Sequence, residues 1–394
     1  MSTEVNEAPA RSLRPAWQAV FENGTARHSG GEAPPAFTFR VPDEAALERI
    51  LSTDPYTAAM AYLRGDFELE GDLCAAIRFK GWDAQSSWRR RSIGLLARCA
   101  TLRDCLLQTR AQAQRNIQFH YDRSNEFYRL FLDPRMVYSC AYFGTAQSTL
   151  EEAQVAKLDH ICRKLDLQPG DRFLDIGCGW GALVAHAAVH YRAEAFGCTI
   201  SRAQYEHASA QAQGHVQIRE QDYRELSGRF DKIASVGMFE HVGQVRAPGY
   251  FRKIAGLLEP GGLFLNHAIQ RAYGVGDDAA SLFVRRRIFP GGELIQLHET
   301  IRAAEMAGFE VLDVESLRPH YARTCRLWEE RLTARRDEAL QLVDEATFRA
   351  WRIWLAASSL SFEDGFNSIY QVLLAKRGAA RVHWTREYMY RAAC

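Results

Sequence analysis

The stretch that most constrains this chain is Arg172-Phe-Leu-Asp-Ile-Gly-Cys-Gly-Trp-Gly-Ala182. A short apolar run ends in Asp175, then passes through Gly177, Gly179 and Gly181 into a helix-compatible run, Ala182 to Val189. Strand, tight glycine turn and helix in that order form the opening unit of a nucleotide-type α/β domain. Glycine lets the backbone turn sharply and lets a ligand approach the main chain. The amides at the helix N-terminus then face that ligand.

The turn admits three readings. Gly177-x-Gly179-x-x-Ala182 satisfies the dinucleotide fingerprint, which tolerates Ala in its last position. A dinucleotide site also wants an acid about 20 residues further on, at the tip of the next strand, for the ribose. That strand, expected over Glu194–Ile200, ends Gly-Cys-Thr-Ile-Ser without an acid. Asp175, just before the first glycine, suits a ligand bearing an ammonium group. S-adenosylmethionine (SAM) has one and has no pyrophosphate, so these residues favour SAM over a dinucleotide. A glycine turn with no ligand is the third reading.

At 394 residues the chain suits two domains, or one large domain with an added lobe. Its apolar share of 47% and charged share of 25% are those of a globular protein able to bury a sizeable core. A net charge of +1 gives no overall field to recruit nucleic acid, and none is expected as a partner. The nine cysteines are odd in number and lack paired metal-type spacing, so no metal is expected. With a polar Met1–Ala10 and no apolar signal core, they point to a reducing cytoplasm. No run approaches the roughly 18 apolar residues of a membrane span. Work on lipid would therefore be done from the membrane surface.

Met1 to Pro35 is polar, rich in Gly, Pro and Ala, and is expected to include a frayed start. Phe37–Val41 alternates like a strand, Glu44–Leu51 and Tyr56–Leu63 are helical, and Gly65–Gly71 alternates again, which makes a small α+β unit ending near Lys80. Trp88 and Arg89–Arg91 introduce a basic amphipathic stretch, Ile93 to Gln114, that suits an anionic membrane surface or an inter-domain helix equally. Aromatic-rich, irregular segments lie at Asn116–Asp122 and Asp133–Phe143, around a helix at Asn125–Leu132, and a helix over Leu150–Leu165 follows. Then β and α alternate. Strands are expected at 172–176, 194–200, 216–219, 232–236, 263–269, 309–317 and 369–375. A helix to Leu258 breaks near Pro248, and a helical stretch covers Tyr321–Ser359. That alternation argues for a mostly parallel sheet covered on both faces.

An α/β fold of this kind puts its site beyond the carboxyl ends of the strands. Glu240-His241 follow the fourth strand there, and His267 lies late in the adjacent fifth strand. Cys140 and Tyr321 sit in irregular aromatic segments, where packing is the plainer explanation for either alone.

Seven motifs then occur in order: Tyr138-Ser-Cys-Ala-Tyr142, Leu174-Asp-Ile-Gly-Cys-Gly-Trp-Gly181, Thr199-Ile-Ser201, Gln221-Asp-Tyr-Arg224, Ser235-Val-Gly-Met-Phe-Glu-His-Val-Gly243, Ile288-Phe-Pro-Gly291 and Tyr370-Gln-Val-Leu-Leu374. Together they resemble the cyclopropane-fatty-acyl-phospholipid synthases and their mycolic-acid relatives. The resemblance implies a class I SAM-dependent methyltransferase fold, with a Rossmann-like seven-stranded sheet whose last strand is antiparallel. It implies a small N-terminal α+β lipid-binding domain over residues 1–80, a helical linker over 81–115 and a catalytic domain over 116–394. By the same resemblance Tyr138, Ser139, Asp175, Gly177, Gly179 and Gly181 touch SAM. Thr199 and Gln204 replace the missing ribose acid, and Asp222 and Tyr223 flank the adenine. Cys140, Glu240, His267, Ile269 and Tyr321 match the family's bicarbonate site, Cys140 and Ile269 mainly through backbone groups.

The implied reaction is transfer of a methylene from SAM across a cis double bond of a phospholipid acyl chain, giving a cyclopropane. The alternative stops at a methyl-branched or methylene-bearing chain. Tyr142, Phe143 and Tyr273 are candidates, by neighbourhood, for shielding the intermediate cation. A phospholipid surface at the inner face of the membrane is the implied partner, and a homodimer is compatible with the reading.

Overall fold

The computed structural model describes residues 15–30, 33–80, 124–276, 279–289, 292–377 and 383–390. The basic stretch with Arg89–Arg91, the 81–115 linker and Asn116–Asp122 lie outside the described residues, as do Pro290 and Gly291.

The N-terminal unit runs β1 (Trp17–Phe21), β2 (Ala26–Ser29), β3 (Phe37–Val41), α1 (Glu44–Ser52), α2 (Pro55–Arg64), β4 (Glu68–Gly71) and α3 (Leu73–Lys80). Its sheet has the order β2-β1-β3-β4, with β1 parallel to β3. No strand was expected before Phe37, yet β1 and β2 form there. Trp17 and Ala19 point inward from β1, and the Trp17 ring packs on Phe39 and Phe79. Five residues with two fully inward side chains carry too short an alternation to stand out in polar surroundings. The helices start where their caps allow: Asp43 accepts from Ala46 N at 2.7 Å and Asp54 from Thr57 N at 3.0 Å.

The larger unit contains α4 (Asn125–Arg129), α5 (Leu150–Lys164), β5 (Arg172–Ile176), α6 (Ala182–Tyr191), β6 (Glu194–Thr199), α7 (Arg202–Gln211), β7 (Val216–Glu220) and β8 (Phe230–Val236). It continues with α8 (Ala247–Leu257), β9 (Leu258–Arg271), α9 (Ala279–Arg287), α10 (Leu297–Met306) and β10 (Phe309–Ser316). It closes with α11 (Arg318–Ala334), α12 (Arg336–Leu340), α13 (Glu345–Glu363), β11 (Asn367–Lys376) and α14 (Glu387–Tyr390). The seven strands lie in the order β10-β11-β9-β8-β5-β6-β7. β11 runs antiparallel to both its neighbours, and β5 to β9 are mutually parallel.

Two expectations are revised. Pro248 does not break a helix but sits in the first turn of α8, where its missing N–H leaves no bond unmade. The helical stretch over Tyr321–Ser359 is three helices, the last restarted by Asp344, which accepts from Thr347 N at 2.7 Å.

α13 joins the two units. On one side Arg349, buried, donates to Tyr62 O at 2.8 Å and Phe67 O at 3.3 Å and pairs with Glu68 and Glu345. Arg352 reaches the Tyr62 hydroxyl at 3.1 Å and Glu329 at 3.1 Å. On another side Trp351 meets Phe127, Tyr128, Phe131 and Tyr138. One hydrophobic core therefore runs from β1 through α13 to the segment around Tyr138.

A second buried feature ties α5 to β10. Lys164 Nζ lies 2.9 Å from Asp313 and 2.6 Å from Glu315, and His160 Nε2 lies 2.7 Å from Glu315.

Candidate active site

The glycine turn between β5 and α6 has φ of +79° at Gly177, +55° at Gly179 and +89° at Gly181, a region that excludes most side chains. A Cβ on Gly177 would press on Met238 at 3.0 Å, and one on Gly181 would press on Ala208 at 3.0 Å. A Cβ on Gly179 would meet nothing within 4 Å and would project into open space. α6 begins at Gly181 with no side-chain cap, so its first amides are left for a ligand or solvent.

That open space is part of a cleft of about 420 Å³ at the carboxyl ends of β5, β6 and β8. The cleft gathers Tyr138, Ser139, Asp175, Gly177, Gly179, Thr199, Gln204, Asp222 and Tyr223. Gly181 does not line it and acts through the helix start. At the tip of β6, Thr199 Oγ1 donates to Gln204 Oε1 at 2.8 Å, and this pair stands where a dinucleotide site would have its acid. Arg224 grips the Asp222 carboxylate through its backbone N–H and Nε, both at 2.9 Å, which fixes the orientation of that acid.

Asp175 is buried, and its Oδ1 has no hydrogen-bond partner. Burial pushes its carboxyl up to about 7, against the pull of Lys157. A cationic ligand group needs the ionised form. Affinity for S-adenosylhomocysteine (SAH) is therefore expected to rise as pH climbs from 5 through about 7 and then to stop rising. Titration calorimetry across that range checks this, and a flat profile refutes it. In the free protein the sign is opposite. The raised carboxyl favours folding below its unfolded value, and that contribution is lost as pH climbs through about 7.

One cleft residue, Lys157, and its buried neighbour Gln154 escaped the sequence reading. From α5, Lys157 Nζ donates to Ser139 Oγ at 2.9 Å and Gln154 Nε2 donates to Ser139 O at 2.9 Å. Both are buried and stand three residues apart on one helix face. The available signal was their place in the apolar stripe of α5, among Leu150, Ala153, Leu158 and Ile161.

Behind Met238 lies a second group. Glu240 sits in a short 3₁₀ turn, Phe239–His241, directly after β8. Its Oε1 accepts from Ile269 N at 2.7 Å, while Oε2 is shielded from solvent and unpartnered. Burial pushes this carboxyl up to about 7, opposed by the Ile269 amide. His267 is fully buried, and burial holds its imidazole neutral. Its Nδ1 lies 3.2 Å from Gln371 Nε2, directly across on β11, and its Nε2 has no partner. His267 and Ile269 share one face of β9, since side chains repeat every second residue.

Backbone contacts bring in the other two residues. Ile369 pairs with Ile269 and accepts from Leu317 N at 2.9 Å. Leu317 O in turn accepts from Tyr321 N at 3.0 Å and lies 3.8 Å from Cys140 Sγ. None of Cys140, Glu240, His267, Ile269 or Tyr321 lines the cleft itself; their neighbours Ser139, Met238 and His241 do. Burial pushes the Cys140 thiol far above its usual range, so it is inert as a nucleophile at neutral pH.

The three aromatics expected to shield a cation are not free to do so. Tyr142 is stacked between His160 at 4.4 Å and His320 at 4.9 Å. Phe143 carries Arg323 over its face at 4.2 Å. Tyr273 is 86% exposed and leans on His298. Neighbourhood in sequence was a poor guide, because the faces of Tyr142 and Phe143 are taken by other side chains and Tyr273 projects into solvent. The aromatic wall beside the cleft is made instead by Tyr138 with Tyr128, Trp328, Trp351 and Trp354.

Comparison with known proteins decides the family. Residues 108–372 match the family described as mycolic acid cyclopropane synthetase. The chain belongs to that family. Within it, a probable fatty acid methyltransferase of Pseudomonas putida is 40% identical over 379 residues, spanning 91% of this chain and 92% of the relative. The solved cyclopropane synthase MmaA2 of Mycobacterium tuberculosis superposes with a TM-score of 0.66 at 34% identity, covering 68% of this chain and 99% of that one. The mycolic acid cyclopropane synthase CmaA1, solved with SAH and CTAB, superposes with a TM-score of 0.64 at 35% identity, covering 67% and 98%. The fold of this mycolic acid cyclopropane synthetase family member is that of a class I SAM-dependent methyltransferase, with the expected antiparallel last strand. Among its described residues no helix is long and apolar enough to cross a membrane.

Proposed function

We propose that this protein binds SAM in the glycine-turn cleft, transfers a one-carbon unit to the cis double bond of an unsaturated phospholipid acyl chain, and closes it to a cyclopropane. The observation that carries ring closure is the pair of buried, unpartnered polar atoms, Glu240 Oε2 and His267 Nε2, carried by the ends of adjacent strands. Two such atoms out of water are costly unless something completes their hydrogen bonds. With the Gln371 amide nitrogen donating to Nδ1, the His267 proton sits on Nε2, so that atom is a donor. Glu240 Oε2 offers an acceptor when ionised. One donor and one acceptor, both in need of a partner, fit bicarbonate, which Glu240, His267 and Tyr321 would hold. When bound there, bicarbonate supplies the general base that ring closure needs.

SAM supplies an electrophilic methyl on its sulfonium. An unactivated alkene has no proton to lose before attack, so the protein's task is alignment and exclusion of water. Gly179 leaves room for the ligand, Thr199 and Gln204 take the ribose, and Asp222 and Tyr223 flank the adenine. Tyr138, at the edge of the aromatic wall, offers a π face to developing positive charge.

A second reading is favoured by the 40% identity to a relative named a probable fatty acid methyltransferase. In that case the chain keeps a methyl branch or methylene group without ring closure. Proton spectra of lipid extracts from cells expressing the protein separate the two. High-field cyclopropyl signals are expected; a branched-methyl signal in their place defeats ring closure.

The lipid surface is approached, on this reading, through α9. Arg286 and Arg287 are exposed and reach neutral groups, the Tyr56 hydroxyl at 3.1 Å and the Met60 sulfur at 3.8 Å. Two residues on, Phe289 lies 5.4 Å from Trp354 and 6.0 Å from His241, so these guanidiniums stand near the aromatic wall. Replacing both with Ser is expected to weaken binding to anionic phospholipid vesicles at low salt by roughly 30-fold, at about 1 kcal/mol per charge. Sedimentation with vesicles at two salt concentrations measures this. Unchanged binding at low salt removes α9 from the membrane contact.

A further inference from the structure

Lys157 is the least matched charge in the cleft. It is 2% exposed, lines the cavity, and makes a single hydrogen bond, to Ser139 Oγ at 2.9 Å. An ammonium group has three donors. No carboxylate among the described residues forms an ion pair with it. Asp133 is the strongest attracting charge, but its two oxygens are spent on Val137 N at 2.8 Å and Arg135 N at 3.2 Å. Asp175, on the facing strand end, is also buried, also lines the cleft and also has an orphaned oxygen. The cleft thus presents a buried cation and a buried acid that do not pair with each other. A zwitterion set between them would satisfy both. An α-amino acid group is such a zwitterion, with one ammonium and one carboxylate on the same carbon.

We infer that Lys157 binds the carboxylate of the amino-acid end of SAM, opposite Asp175, which takes the ammonium. This rests on the reading of the cleft as a SAM site and adds to it the residue that recognises the carboxylate. Burial lowers the Lys157 ammonium to about 8, so it is still largely charged at neutral pH before a ligand arrives. The other reading of Lys157 is that it merely anchors the Tyr138-Ser139 loop through Ser139. The two differ in one respect: an anchor does not care whether the ligand has a carboxylate.

Calorimetric titration with SAH and with its decarboxylated analogue tests this. Wild-type protein is expected to bind SAH roughly 10- to 100-fold more tightly than the analogue, the usual worth of a charged hydrogen bond. Lys157→Met is expected to bind the two alike. Lys157→Gln, which keeps a donor toward Ser139, is expected to behave as Lys157→Met does and guards against a loop that collapses. Wild-type protein that does not discriminate overturns the inference, whatever the variants do. So does an undiminished preference for SAH in both variants. Wild-type protein that binds neither ligand overturns the SAM reading of the cleft, and this inference with it.

Discussion

Glu240→Gln is expected to bind SAH about as tightly as wild-type protein and to turn over roughly 10²-fold more slowly, or worse. Gln keeps an oxygen to accept from Ile269 N, so the turn after β8 holds its shape. What changes is the second atom. In place of Oε2, which has no partner and is shielded from solvent, the amide presents a nitrogen that can only donate. Any role of Glu240 that needs an acceptor at that point is lost, while the cleft, which Glu240 does not line, is untouched. Calorimetry and release of SAH in the presence of unsaturated phospholipid vesicles measure the two quantities separately. Wild-type turnover in the variant would remove Glu240 from the chemistry.

The largest effect on stability is expected at Lys164→Met, about 3 kcal/mol by urea unfolding. Breaking a buried ion pair from one side costs about 3–5 kcal/mol because the remaining charge stays buried. The lower end applies here, since Arg386 still reaches Asp313 at 2.6 Å and His160 still reaches Glu315 at 2.7 Å. A pH signature accompanies it. Burial alone would raise the Glu315 carboxyl, but the His160 hydrogen bond and the Lys164 charge hold it down to about 2. Its contribution is therefore present above its ordinary value of 4.5 and is lost as pH falls toward 2. Lys164→Met should flatten the acid limb of the stability curve in that window. A variant within experimental error of the wild type would show the cluster to be energetically neutral.

Much of the larger unit was legible because its strands are short apolar runs closed by glycine or polar residues. Arg172–Ile176, Glu194–Thr199 and Phe309–Ser316 fall within a residue or so of where the pattern puts them. β1 was not legible, because only Trp17 and Ala19 are fully inward in it. The cofactor-side residues could be read because a glycine turn constrains backbone and ligand in the same few positions. Lys157 could not, because sequence periodicity says which side of a helix is covered but not that the cover is a polar cavity. Tyr142, Phe143 and Tyr273 show the converse error. A ring near a motif in sequence tells nothing of what its faces touch.

α13 has a practical implication for anyone trimming this chain to a minimal catalyst. The relative MmaA2 is matched over 99% of its length by 68% of this chain, which invites deletion of the remainder. Here, however, Arg349 and Arg352 hold Tyr62 and Phe67 with one flank of the helix whose other flank presses Trp351 against Tyr138. Cutting away the first hundred residues would take from these guanidiniums their Tyr62, Phe67 and Glu68 partners and uncover an oily flank. The shortened product should come out of cells as inclusion bodies before its chemistry could be assayed.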